Sequence, residues 1–262
     1  MKSLNKKLPD SPGVYFFRKG RKILYIGKAT SLKDRVRSYF NSDILGTRGP
    51  AVIAMVSLSD NVGYKKTDSA LEALLLESVL IKKHKPKYNT KEKDDKSYFY
   101  IAFTNEEYPR VIITRGRNLF ADDRHKYGKV FGPFPHGSEL REAMNILRKI
   151  FPFRDKCLPA GEAGASNSGK PCFQAQIGLC PGVCAGVISR EEYLKILKNL
   201  ELFLSGKKTK IIKDLEKEMS RLANERKFES AEVVKRQIFG LKHIKDVSMI
   251  KNTFNEQTAY GV

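Results

Sequence analysis

The residue that stands out as chemically able in this sequence is a carboxylate on an apolar stripe. Glu77 lies in the run ALEALLLESVLIKK, and its helical neighbours are Ala70, Ala73, Leu74, Leu80 and Ile81. At helical spacing these residues share the face that should turn to the core. A buried carboxylate needs a cation, a hydrogen-bonding partner or a proton. From pattern alone, an internal salt bridge and a ligand or catalytic role carry equal weight. Glu72, beside Asp68 and Ser69, reads as exposed. Upstream, Tyr15 and Tyr25 each sit near the end of a strand-like run, and Lys28 directly follows Gly27. Arg35 and Tyr39 are spaced i, i+4 and share one face of a helix. Taken singly, the tyrosines fit core packing, and Lys28 and Arg35 fit a solvated surface.

A second group able to do chemistry is a set of cysteines. Cys157, Cys172, Cys180 and Cys184 are the chain's four, and all fall within 28 consecutive residues. An extracellular disulfide framework would spread its cysteines. A cluster in a lysine-rich chain reads as a metal or cluster site in a reducing compartment, hence a cytoplasmic protein. The spacing C-x14-C-x7-C-x3-C lacks the paired short hooks of zinc ribbons. Four thiolates suit tetrahedral zinc or an iron–sulfur cluster.

The elements that must position these groups can be read in outline. Gly13–Phe17 and Ile23–Ile26 are strand-like, parted by the turn-prone Arg18–Lys22. Ser31 opens a helix with Asp34 three residues on, a variant capping box. Leu32, Val36 and Tyr39 or Phe40 form its apolar face. A longer helix runs from about Ser69 to Lys85 and stops before Pro86. Two further strands, Tyr98–Phe103 and Arg110–Thr114, precede a helix over Ser138–Ile150 with Leu140, Ala143, Met144, Leu147 and Ile150 on one side. Beyond about residue 190 the chain is helical. Ile211, Leu215, Met219 and Leu222 repeat at helical spacing. After a break near Arg226–Glu229, Ala231, Val234, Ile238 and Leu241 repeat again. The pair predicts an antiparallel helical hairpin, with Phe228 at its bend. A hairpin of that size buries little apolar surface alone, so its leftover face should pack on something.

Charge narrows the function. Lys and Arg total 49 against 29 Asp and Glu, a net charge of +20 over 262 residues. Residues 1–96 carry 21 basic and 10 acidic groups. Such a field attracts polyanions by counterion release, and it exceeds what solubility requires. Nucleic acid is favoured over an anionic membrane, since there is no apolar run of 18 residues and no long basic amphipathic helix. The N-terminus, MKSLNKKLPDSPGVY, lacks the apolar core of a signal peptide.

Longer patterns bring in a family. Gly13-Val14-Tyr15 and Tyr25-Ile26-Gly27 resemble the two halves of the GIY-YIG nuclease signature. Lys28, Arg35, Tyr39, LEALLLES with Glu77, Pro86-Lys87-Tyr88-Asn89 and Asp94-Asp95-Lys96-Ser97-Tyr98 extend the match. The longer pattern resembles the UvrC subunits of bacterial excision-repair nucleases. Glu107-Tyr108-Pro109-Arg110, Phe131-Gly132-Pro133 and Ile150-Phe151-Pro152-Phe153-Arg154 are similar to that family's connecting segment. CFQAQIGLCPGVC (Cys172–Cys184) is similar to its cysteine module, and the terminal hairpin to its UvrB-binding motif.

The resemblance implies an α/β (α+β) fold. A small GIY-YIG nuclease domain with a central antiparallel sheet flanked by helices would occupy residues 1–96. A connecting and four-cysteine region would span 97–190, a helical region with the hairpin 191–245, and a tail 246–262. It further implies a DNA-repair endonuclease of nucleotide excision repair, part of the SOS response, that cuts damaged double-stranded DNA on the 3′ side of a lesion. Glu77 would hold Mg²⁺ or Mn²⁺. Tyr25, with Tyr15 close by, would help activate water, aided by a positive neighbour such as Lys28. Arg35 would stabilise phosphoryl charge, and Tyr39 and Asn89 would complete the site. The resemblance tilts the cysteines toward a [4Fe–4S] cluster, zinc being the alternative. It makes UvrB the hairpin's partner, through Leu215, Met219, Leu222, Phe228, Ala231, Val234 and Ile238. The family's RNase H-like and helix-hairpin-helix domains have no counterpart in these residues, so incision on one side only is expected. Two other functions compete: a non-catalytic adaptor for DNA and UvrB, and a stand-alone structure-specific nuclease.

Overall fold

The computed structural model describes residues 8–40, 49–90, 97–120, 124–162 and 170–244. Strands β1 (Gly13–Lys19) and β2 (Lys22–Ala29) form an antiparallel hairpin whose register sets Tyr15 opposite Gly27 and Val14 opposite Lys28. The turn between them uses Gly20 at φ 55°, a conformation that costs glycine nothing. Alternation sends Tyr15 and Phe17 to one face and Val14 and Phe16 to the other. Short helix α1 (Leu32–Arg37) starts at Ser31, whose hydroxyl accepts from the Asp34 amide at 3.2 Å. It packs Leu32 and Val36 on the Tyr15 face. Helix α2 (Pro50–Leu58) adds Met55 to that same layer.

Strand β3 (Asn61–Lys66) pairs with the other edge of β1, giving the order β2-β1-β3. The opposite face is covered by α3 (Ala70–His84), which buries Ala73 and Ile81 against Val14, Phe16 and Ile26. Ser69 caps α3 through the Glu72 amide, and Lys85 closes it in the left-handed region at φ 42°, just before Pro86. A four-residue turn of helix, α4 (Lys87–Thr90), follows. The expected antiparallel sheet flanked by helices is therefore present, and the fold is mixed α and β.

The second part begins with another three-stranded sheet. Strands β4 (Phe99–Thr104) and β5 (Val111–Arg115) are antiparallel, and β6 (Tyr127–Phe134) completes the order β5-β4-β6. A short helix α5 (Gly116–Leu119) follows β5, and α6 (Gly137–Ile150) follows β6, with Leu140, Ala143, Met144 and Leu147 buried. Among its described residues the cysteine-bearing stretch holds only α7 (Phe173–Gln176) and a 3-10 turn at Val183–Ala185. Helix α8 (Arg190–Leu204) opens with a full capping box between Ser189 and Glu192. Helices α9 (Lys208–Asn224) and α10 (Phe228–Lys242) form the hairpin. Its bend carries Arg226 at φ 58°.

The fold separates into two units. One holds the described residues up to Tyr98 with Gly132–Phe134 and Ile244. The other holds Phe99–Phe131 and Pro135–His243. No helix among the described residues is long and apolar enough to cross a membrane.

Besides the four-residue helices, three elements escape sequence reading. In β3 only Val62 is buried, so an alternating pattern never develops. Its Lys65 and Lys66 are typical of an edge strand that must not recruit another chain. Helix α2 reads PAVIAMVSL, apolar on every side, and carries no helical period. Strand β6 contains Pro133, tolerated because β6 is an edge.

Candidate active site

Tyr15 and Tyr39, 24 residues apart, join hydroxyls at 2.8 Å, and Tyr15 is fully buried. Tyr15 stands on central strand β1, and Tyr39 comes two residues after α1 ends. The Tyr25 ring lies 6.2 Å from Tyr15 and 6.5 Å from Tyr39. Phe17 packs edge-on against Tyr39 at 5.0 Å, a contact of about 0.5–1.5 kcal/mol beyond area burial. The glycine of the second motif has a physical reason. A Cβ at Gly27 would collide with the Tyr15 hydroxyl and with the Tyr25 ring. At Gly13 a Cβ would strike the Lys65 carbonyl on β3. Both glycines let side chain or backbone cross where a larger residue blocks it.

Glu77 projects from α3 and is 6% exposed, the buried charge that the stripe predicted. Its Oε1 accepts the Lys28 backbone amide at 2.9 Å. So the backbone amide of the residue following the YIG motif meets the carboxylate. Asn89 from α4 accepts the Ile26 amide and donates to the Ile26 carbonyl, both at 2.8 Å. Because β2 is an edge strand, Asn89 takes the place of a missing neighbour strand at the motif's centre. The Tyr98 hydroxyl in turn donates to the Asn89 carbonyl at 2.7 Å. The family pattern includes Tyr98, but nothing in the sequence marks it as a support for Asn89. Arg35 is exposed, with its guanidinium 5.9 Å from the Tyr39 ring centre.

The electrostatics differ from the expectation that a positive neighbour lowers the tyrosines. Burial raises the Tyr15 hydroxyl well above its usual value, and Tyr25 and Tyr39 raise it further. Tyr25 is raised by burial first, then by Tyr39 and by the Glu77 charge. Arg35 pulls both down, but too weakly to reverse the shift. For Arg35 itself, burial disfavours the cation, and the neighbouring Tyr15 and Tyr39 more than compensate. At neutral pH Tyr15 and Tyr25 are protonated hydroxyls beside the Glu77 carboxylate and the Arg35 guanidinium. Glu77 supplies hard oxygen donors, the type Mg²⁺ and Mn²⁺ prefer. The residues fit such an ion.

The cysteines gather in the other unit. The sulfurs of Cys157, Cys172 and Cys184 lie within 4.8 Å of one another, a trio that could hold a metal. Cys180 is buried at 3% exposure but stands outside that trio. No disulfide joins the four. The Cys172 amide donates to the Cys184 sulfur at 3.4 Å. Burial, then the neighbouring sulfurs of Cys180, Cys184 and Cys172, push the Cys157 thiol up to about 12.

Two arginines that sequence reading does not single out hold this module. Arg148 on α6 is 9% exposed, forms a two-pronged pair with Asp155 at 2.8 and 2.9 Å, and donates through Nε to the Leu179 carbonyl at 2.8 Å. Arg154, 1% exposed, pairs with Glu106 and donates to the Cys157 carbonyl at 2.7 Å. They fix the backbone at Cys157 and just before Cys180. The signal for Arg148 is the one that exposes Glu77, a charge on the apolar stripe of Leu140, Met144 and Leu147.

In the hairpin, Leu215, Leu222, Ala231, Val234 and Ile238 are buried and Met219 is half-buried. Position 240 of α10 is a glycine whose Cβ would stand 3.0 Å from Ile150 of α6. Phe228 is 66% exposed and Phe239 63%. Eleven residues apart, these two fall on one side of the helix.

Comparison with known proteins agrees with these features. Residues 11–90 match the UvrC-like GIY-YIG domain, and residues 98–203 match the middle domain of the UvrC/Cho excinucleases. UvrABC system protein C of Acetivibrio thermocellus is 42% identical over 255 residues, covering 96% of this chain and 39% of that protein. The protein of the same name from Chlorobaculum tepidum is 40% identical over 248 residues, 94% of this chain and 38% of its own length. The chain thus spans well under half the length of these relatives. A crystal structure of the GIY-YIG N-terminal endonuclease domain of UvrC from Thermotoga maritima, bound to magnesium, is 37% identical. It covers 32% of this chain and 89% of its own, with a TM-score of 0.29, too low to bear on the fold. With matches to both domains in the expected order, the chain belongs to the UvrC family of GIY-YIG proteins.

Proposed function

We propose that this chain is a divalent-metal-dependent DNA endonuclease of nucleotide excision repair, cutting on the 3′ side of a lesion and recruited by UvrB. The observation that carries the reading is the buried Glu77 carboxylate beside the Tyr15–Tyr25–Tyr39 cluster, with Arg35 at its exposed edge. An adaptor has no use for a carboxylate kept out of water among hydroxyls, which favours the enzyme. Glu77 would hold Mg²⁺ or Mn²⁺, which supplies Lewis-acid polarisation of the scissile phosphate.

The chain's own residues do the rest. Tyr25 keeps its proton at neutral pH and faces both Tyr39 and the Glu77 charge. It orients water rather than resting as a phenolate. Tyr15 and Tyr39 hold each other's hydroxyls and so fix the pocket's shape. Arg35, exposed to an incoming strand, offers its guanidinium to the charge that develops on phosphoryl oxygens. Asn89 and the Lys28 amide position the YIG backbone, the first through Ile26 and the second through Glu77. Cys157, Cys172 and Cys184, with Cys180 nearby, would hold a [4Fe–4S] cluster or zinc in a structural role. The UvrB-binding surface would be the exposed Phe228–Phe239 side of α10, since Leu215 and Val234 already pack inside the hairpin. A reducing cytoplasm fits the unbridged thiols.

A lesion-bearing duplex labelled at either end, incubated with this chain and Mg²⁺ with and without UvrB, tests the reading. A UvrB-dependent nick on the 3′ side alone is expected. No nick with a folded chain and UvrB would favour the adaptor. Equal nicking without UvrB would favour a stand-alone nuclease.

A further inference from the structure

The turn end of the first sheet carries a feature that the catalytic residues do not use. Arg18, Arg21, Lys22, His84, Lys85 and Lys87 surround an open cavity of about 660 Å³, and no acidic residue among the described residues lines it. The cationic groups come from three separate places: the end of β1, the start of β2 with its turn, and the end of α3 with the residues after it. Cations in the last turn of α3 complement that helix's dipole, which accounts for His84. It does not account for Arg21 and Lys22, which belong to a β-turn.

Arg18 gives the cavity a fixed wall. Its guanidinium lies over the Phe16 ring at 5.2 Å and beside Gly63, where a Cβ would come within 3.7 Å. Its Nε is buried and has no hydrogen-bond partner among the described residues. A buried donor without an acceptor is unfavourable unless a ligand supplies one. Asp60 does not serve here. It accepts the Gly20 amide at 2.7 Å and donates its own amide to the Arg18 carbonyl, which pins the turn.

The position is informative. Ile23 on the cavity wall pairs with Arg18, and Lys28 beside Glu77 pairs with Val14, so cavity and active site occupy opposite ends of one hairpin. Five strand residues separate them, about 16 Å at roughly 3.3 Å per residue. Measured along the axis of B-DNA, at roughly 3.4 Å of rise per base pair, this is about five base pairs.

We propose that this cavity is a second phosphate site, which grips the DNA backbone about five base pairs from the bond positioned at Glu77 and so sets the register of the cut. The inference rests on the reading of the chain as a DNA endonuclease. A backbone phosphate is small, singly charged and oxygen-rich, and it meets a wall of basic side chains that includes the unpaired Arg18 Nε. Such a contact positions the duplex and carries no sequence preference.

The test compares the full chain with the double variant Arg21→Gln/Lys22→Gln, both exposed turn residues. Binding to a labelled duplex is followed by anisotropy across a salt series in the Glu77→Gln background, so that cleavage plays no part. The slope of log K against log salt should shrink by about one, because one phosphate is no longer neutralised. With Glu77 intact, the double variant should need more DNA for half-maximal nicking and keep its rate at saturation. A methylphosphonate walked along the duplex should weaken binding of the parent chain when placed about five positions from the nick, and leave the double variant unaffected. An unchanged slope, or no sensitive position outside the active site, overturns the proposal. So does loss of binding to anionic phosphatidylglycerol vesicles with DNA binding intact. Binding that behaves as stated while the parent chain never nicks would overturn the endonuclease reading and leave the phosphate site standing.

Discussion

The tyrosine site and the cysteine module solve the same problem, bringing distant residues together, by opposite means. The first is built on regular structure. Tyr15 and Tyr25 stand on paired strands, Glu77 on a 15-residue helix, and the register of the hairpin sets their relations. The second lies in an irregular stretch whose longest element near the sulfurs is four residues. Its backbone is tied down by buried Arg148 and Arg154 instead. A site on strands and a helix is pre-shaped before its ion arrives. A site on loops depends on its ion and its clamps for shape. Changes at the first should cost activity without costing stability, and changes at the second should cost stability while folded protein keeps its activity.

The largest effect should come from breaking the loop site. Cys157→Ser/Cys184→Ser should strip iron or zinc from the protein. The cooperative melting of the second unit should go with it, because structural metals contribute of order 10 kcal/mol. Calorimetry and metal analysis check this. An unchanged melting profile after metal loss would erase the contrast. Next, Arg154→Met should destabilise that unit by roughly 1–3 kcal/mol, since it leaves the Cys157 carbonyl without its buried donor and Glu106 with Arg110 alone. Denaturant titration reads the change, and nicking at the tyrosine site in the folded variant should persist. In the strand-built site, Arg35→Ala should slow nicking about 10²–10³-fold. The melting temperature should hold, because Arg35 is exposed.

The smallest effect is one of pH. The folded-state pKa values of Tyr15 and Tyr25 are raised above the unfolded value near 10. Their contribution to stability is therefore complete below pH 10 and falls away as pH climbs toward the folded values. The first unit should show a stability loss that begins above about pH 10, together with phenolate absorbance. Phenolate absorbance from the native state near pH 8 would mean that a tyrosine ionises early, and that the water-orienting role is wrong.

What can be read from the residues alone follows the same division. Glu77 is visible because an α-helix converts sequence spacing into one face, and a charge on that face is conspicuous. The positions of β1, β2 and α3 follow from apolar runs, a serine cap and Pro86, but both strands extend past the expected Gly13–Phe17 and Ile23–Ile26 into the charged residues at the turn. The role of Asn89 cannot be derived, because its bonds to Ile26 join residues 63 apart in a way no local period encodes. The pairing of Arg154 with Glu106, 48 residues apart, is hidden for the same reason. Edge strands β3 and β6 escape because an edge with one exposed face needs little hydrophobic alternation. The cysteines announce themselves by density, yet density alone does not separate the convergent Cys157, Cys172 and Cys184 from Cys180.

The central claim is that one carboxylate, held in a pre-shaped tyrosine pocket, makes this chain a nuclease. Single-turnover nicking by Glu77→Gln, with its melting curve recorded on the same preparation, tests it most directly. Gln keeps an oxygen that can accept the Lys28 amide bond now made by Oε1, so the fold should survive with an unchanged melting temperature. The account predicts that Mg²⁺- or Mn²⁺-dependent nicking falls by at least about 10³-fold. A folded Glu77→Gln protein that nicks at the parent rate would contradict it.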